Sequence, residues 1–111
     1  MSASRQKGTI WESQVVDYLK DHGFPYAERR ALAGVNDKGD LTGIPGLMIE
    51  CKAEKAIDLA GYMVEVKLQT ANAGAHLGFA VVKRRNRSVG DAYAVMPLSV
   101  LTELLANEEA Q

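Results

Sequence analysis

The stretch KGDLTGIPGLMIECK, Lys38 to Lys52, decides how this chain is read. Leu47, Met48 and Ile49 form an apolar run suited to a buried strand, yet the run ends in Glu50, Cys51 and Lys52, where buried strands usually avoid charge. Ile44-Pro45-Gly46 carries turn chemistry, and Asp40 to Gly43 is a second short extended segment, so the stretch predicts a β-hairpin of Asp40–Gly43 and Leu47–Lys52. Side chains alternate along a strand. Glu50 and Lys52 therefore share one face, while Leu47, Ile49 and Cys51 share the other, which makes Cys51 a small core residue. Asp40 depends on the turn: a two-residue Pro45-Gly46 turn pairs it with Cys51 on the wrong face, whereas a three-residue Ile44-Pro45-Gly46 loop sets it opposite Glu50. The longer loop, or a bulge, is the expectation.

Two carboxylates facing each other across a hairpin repel unless a cation joins them or one carries a proton. Mg2+ answers that need, because it takes a few carboxylate oxygens together with water and phosphate; Mn2+ is expected to substitute. Lys52, on the same face, can hold a water or stabilise charge building on a phosphoryl group. Asp40, Glu50 and Lys52 together suit phosphodiester cleavage.

Outward from the hairpin, Thr9 to His22 predicts a first helix, with Trp11, Val15, Val16 and Leu19 on its apolar side and Gly23-Phe24-Pro25 ending it. Thr9-x-x-Glu12 fits a capping box. Tyr26–Arg30 reads as a short edge strand and residues 35–39 as a turn. Asp58 is a plausible N-cap for a second helix reaching Asn72, with Leu59, Met63, Val66, Ala60, Val64 and Ala71 as its packing pattern. Gly78–Lys83 and Ala92–Met96 predict two further strands around a polar loop, and a last helix follows Pro97 with Leu98, Leu101, Leu104 and Leu105 as its apolar face. The expected architecture is α/β, a mixed central sheet flanked by helices in the order α-β-β-β-α-β-β-α.

The chain's 111 residues make one domain, 1–111, with 1–6 and 107–111 expected as flexible tails. Apolar residues at 47% and charged residues at 24% match ordinary globular domains, which excludes wholesale disorder. No apolar run approaches the roughly 18 residues of a membrane span, and no signal-peptide core follows the N-terminus, so a cytoplasmic protein without membrane contact is expected. A single cysteine, Cys51, excludes an internal disulfide, and with His22 and His76 as the two histidines there is no cluster for structural zinc. The net charge of −1 conceals basic clusters at Arg5 and Lys7, at Arg29 and Arg30, and at Lys83, Arg84, Arg85 and Arg87. Arg5 and Lys7 stand by Gly8 just before the first helix and the last group sits at a strand end, positions from which phosphate contact is expected; Arg29 and Arg30 can widen that surface. His22 and His76 are expected as ordinary surface or capping residues, and Trp11, Phe24, Tyr62 and Phe79 as core or interface.

Asp40 followed by Glu50-Cys51-Lys52 on a hairpin, after a helix bearing Glu12 and before another helix, resembles the PD-(D/E)xK nuclease superfamily. The opening RQKGTIWESQVVDYLKDHGF is similar to its Holliday-junction resolvase branch, and the resemblance runs from Arg5 to Val82, with Gly39 rather than proline before the aspartate. It implies a restriction-endonuclease-like core in which Asp40 and Glu50 ligate Mg2+, Lys52 assists the attacking water, and Glu12 completes or supports the metal site. Gln69 looks like the polar residue that similar nucleases place nearby. Glu12 has a rival reading as the helix cap, and Gln69 as an exposed helix residue. The implied activity is resolution of four-way DNA junctions by a homodimer, because two matched nicks call for two sites related by a twofold axis. A repair or restriction-type endonuclease of the same fold, and a DNA-binding module that does not cut, are the alternatives.

Overall fold

A computed structural model describes residues 3–30 and 38–109, with side chains over 6–30 and 38–108. The chain runs α1 (Ala3–Asp21), β1 (Glu28–Arg29), β2 (Leu41–Thr42), β3 (Leu47–Lys52), α2 (Leu59–Asn72), β4 (Leu77–Val82), a 3-10 turn (Val89–Asp91), β5 (Tyr93–Val95) and α3 (Leu98–Glu109). The five strands form one mixed sheet in the order β1-β2-β3-β4-β5, with β3 and β4 parallel and the other neighbours antiparallel. The α/β architecture and the element order are as expected from the sequence. Most of the predicted turn at 35–39 lies outside the described residues.

β3 is central because its sequence suits burial on both faces. Its odd-numbered residues Leu47, Ile49 and Cys51 pack with Trp11, Val15 and Val16 of α1, and Met48 packs on the other face with Tyr62 and Val66 of α2. Each face of the sheet thus has its own helix and its own core. α2 serves as the crossover that parallel pairing of β3 and β4 requires. It approaches β4 closely at Gly78, where a Cβ would collide with the Thr70 hydroxyl and the Met48 methyl.

Four expectations need correction. α1 begins at Ala3, not Thr9, so residues 3–6 belong to a helix rather than a tail, and Ser13 Oγ donates to the Thr9 carbonyl at 3.0 Å in the i−4 pattern of a helix interior. The capping-box reading of Glu12 fails with it. α3 reaches Glu109, which makes residues 107–109 helical. The buried stripe of α2 is Tyr62, Val66 and Gln69, whereas Leu59 and Val64 are exposed; the sheet selects a stripe that carries polar side chains over the purely apolar one. On α3, Leu98, Leu101 and Leu105 are likewise exposed, and among the described residues the helix packs on the sheet mainly at β4. No helix among the described residues is long and apolar enough to cross a membrane.

Candidate active site at the end of β3

Leu41 pairs with Ile49, so the connection is the three-residue Ile44-Pro45-Gly46 loop and Asp40 stands opposite Glu50. The ladder does not continue past Asp40. Its carboxylate takes over instead, Oδ2 accepting the Cys51 backbone N–H at 2.8 Å, which fixes the side chain at the edge of the hairpin. Gly39 makes that entry possible: its φ is +88°, and a side chain there would strike Met48.

Glu50 is 5% exposed, an unusual burial for a carboxylate. Gln69 Nε2, from α2, donates to Glu50 Oε2, while Glu50 Oε1 has no hydrogen-bond partner among the described residues. Burial first, then contact with the Asp40 carboxyl and its charge, push the Glu50 carboxyl up to about 9, against the opposing pull of Gln69 and Lys52. A buried acid with an unsatisfied oxygen, pressed against a second acid, fits a hard divalent cation in its donor chemistry. Asp40 and Glu50 are the two residues that meet this description.

Lys52 lies beyond Glu50 on the same face and donates to Glu65 Oε2 at 2.7 Å. Burial would lower its ammonium, but the Glu65 hydrogen bond and the charges of Glu50, Glu65 and Glu54 outweigh that and hold it above its usual value. The Lys52 ammonium is thus presented to the cleft as a hydrogen-bond donor. Cys51 points to the α1 side; burial, then the charges of Asp40, Glu12 and Glu50, push its thiol up, which leaves it inert as a nucleophile.

Glu12 lines the same cleft of about 570 Å³ as Lys7, Asp40, Glu50 and Lys52. Its carboxylate accepts from Arg29 Nε at 3.1 Å. Burial first, then the Asp40 charge, raise its pKa against the pull of Arg29. Glu12 does not complete a three-acid ligand set: among the described residues no group of three or more His, Cys, Asp or Glu side chains is arranged to hold a metal ion. Gln69, 2% exposed, sits directly behind Glu50, which removes its rival reading as a surface glutamine.

The basic residues divide. Lys83 N–H donates to the Lys52 carbonyl at 2.8 Å, so the loop that begins at Lys83 leaves the sheet beside the cleft. Arg85 and Arg87 are exposed there, while Arg84 stacks over the Tyr93 ring at 4.9 Å and reaches the Asp91 carbonyl. Arg29 is engaged by Glu12, and Arg30 is half-buried. Arg5 falls in the first turns of α1, and its side chain lies outside the described residues. His22 is exposed, its Nδ1 2.7 Å from the Tyr18 carbonyl, and exposed His76 meets Glu103; neither lines the cleft that holds Asp40 and Glu50. Of the aromatic residues, Trp11 and Tyr62 are buried, Phe79 is packed on the α1 core, and Phe24 is exposed.

The residues that sequence reasoning missed are Tyr62 and Glu65. Tyr62, expected as core or interface, has its ring 5.2 Å from Lys52 Nζ, and its hydroxyl donates to Glu54 Oε2 at 3.2 Å. Their spacing with Gln69 at i, i+3 and i+7 was the available signal. No family model matches the chain, and neither a curated protein nor a solved structure shows significant similarity to it.

Proposed function

We propose that this chain is a cytoplasmic, Mg2+-dependent endonuclease that cuts branched DNA, with the four-way junction as its substrate and paired nicks by a homodimer as its mode of resolution. The observation that carries the reading is the placement of Asp40 opposite a buried Glu50 with Lys52 on the same face. Asp40 and Glu50 are the residues that would hold Mg2+, which when bound supplies positive charge to the scissile phosphate and acidifies water. The Cys51 N–H holds the Asp40 carboxylate, Gln69 holds that of Glu50, and Lys52 offers a permanent ammonium to charge that develops on phosphoryl oxygens. Glu12 supports the site from α1, where it lines the cleft beside Asp40 and holds Arg29.

The exposed Arg85 and Arg87, beside the cleft, suit contact with phosphates, which gives affinity and register without base specificity. That is the kind of recognition a shape-selective enzyme needs. Selectivity for four-way junctions rests on the resemblance of the Arg5–Phe24 segment to the resolvase branch. The test incubates the protein with Mg2+ and either a labelled four-way junction or a linear duplex of the same sequence. Paired nicks confined to the junction support resolution. Equal cutting of both substrates replaces it with a general nuclease, and a mobility shift without cutting replaces it with a binding module.

A further inference from the structure

The Lys52 ammonium turns toward α2, where Glu65 Oε2 accepts from it at 2.7 Å and the Tyr62 ring lies beneath it. Gln69, one turn further along the same helix, donates to Glu50. The two contacts share one geometric basis. Glu50 and Lys52 are two residues apart on a strand, a rise of about 6.6 Å, and Gln69 and Glu65 are four apart on a helix, a rise of about 6 Å. One turn of α2 running against β3 therefore matches one same-face step of the strand, and the helix grips the acid and the amine together.

We propose that Glu65 is a positioning residue for Lys52, and that the Tyr62-Glu65-Gln69 stripe of α2 sets the separation between the buried carboxylate and the ammonium that work in the cleft. The catalytic side of this assignment rests on the reading of Lys52 as the ammonium that serves phosphodiester cleavage. Lys52 is 13% exposed and Glu65 48% exposed; an ion pair with one partner so open to water contributes little to stability. Its effect lies in where it holds a four-carbon side chain that otherwise samples many rotamers. Tyr62 closes the cradle from below, since its hydroxyl is itself anchored to Glu54.

The test has two arms run on the full chain. In the first, native reductive methylation is followed residue by residue by mass spectrometry in the parent, Glu65→Ala and Glu65→Gln. Lys52 is expected to label about threefold faster in Glu65→Ala, the factor typical of losing an ion pair of this exposure, with Glu65→Gln between and the exposed Lys55 unchanged. An unchanged Lys52 rate overturns the proposal whether or not the protein cuts DNA. In the second arm, Mg2+-dependent junction cleavage by Glu65→Ala is expected to lose about tenfold in kcat with KM nearly constant, and Glu65→Gln to recover part of that loss. Faster labelling with an unaltered kcat also overturns it. A parent that cuts no DNA, together with faster Lys52 labelling in Glu65→Ala, defeats the nuclease reading and leaves the Glu65 clasp on Lys52 established by the first arm.

Discussion

Leu41 pairs with Ile49, and that one antiparallel pair sets Asp40 opposite Glu50. A slip of a single residue would turn Asp40 to the other face of the sheet and dissolve the site. The register depends on Gly39, whose positive φ and close approach to Met48 leave no room for a side chain. Gly39→Ala is expected to cost about 2–4 kcal/mol, combining backbone strain with displacement of a fully buried methionine. Urea denaturation checks this, and a midpoint equal to the parent's would contradict the packing at this turn.

Burial and the Asp40 contact raise Glu50 in the folded chain from the ordinary 4.5 to about 9, so the folded protein binds this proton more tightly than the unfolded chain does. Stability from the neutral form is fully present below about 4.5 and is lost as pH rises toward about 9. Without divalent cation, Tm should fall across that window, by about 4–8 °C for each kcal/mol lost in a domain of this size. Glu50→Gln should flatten the dependence. Millimolar Mg2+ should restore Tm at the alkaline end, because cation binding favours the ionised pair.

Gln69 is buried and donates to Glu50, which makes it part of the packing that holds the buried acid. Gln69→Ala removes the donor, strands a buried carboxyl oxygen and leaves a cavity, at an expected cost of about 2–4 kcal/mol by chemical denaturation. In the Glu50→Gln background the same change should cost less, since a neutral amide tolerates the lost donor better. Equal costs in the two backgrounds would show that the two side chains do not interact.

Arg85 and Arg87 project from the loop beside the cleft, whereas Arg84 is committed to Tyr93 and Asp91. Replacing Arg85 and Arg87 together by alanine should weaken junction binding and reduce the slope of log affinity against log salt by about 2. Arg84→Ala should instead lower Tm. An unchanged salt slope in the double variant would move the DNA surface elsewhere on the molecule.

Much of this arrangement was legible in the sequence because its determinants are local. Leu47–Lys52 carries its own strand pattern, Asp58 caps α2 by accepting the Gly61 N–H at 3.0 Å, and the Ile44-Pro45-Gly46 loop fixes the register that aligns the acids. The start of α1 misled because Thr9-x-x-Glu12 has capping-box form, yet nothing in Ser4-Arg5-Gln6-Lys7 prevents the helix from beginning earlier. The facing stripe of α2 and the partners of Glu12 and Lys52 were hidden for a different reason. Glu12 with Arg29, Lys52 with Glu65 and Glu50 with Gln69 are separated by 17, 13 and 19 residues, and such pairs exist only once the sheet and helices have docked.

The central claim is that Asp40 and Glu50 act together through a divalent cation to cut DNA. The most direct measurement compares the parent with Asp40→Asn on a labelled four-way junction in Mg2+, reading cleavage and binding in the same samples. The account predicts paired nicks from the parent, and from Asp40→Asn junction binding without cleavage, because Asp40 serves the cation while the exposed Arg85 and Arg87 hold the DNA backbone. An Asp40→Asn protein that cuts at the parental rate, or a parent that binds the junction and leaves it whole in both Mg2+ and Mn2+, would contradict it.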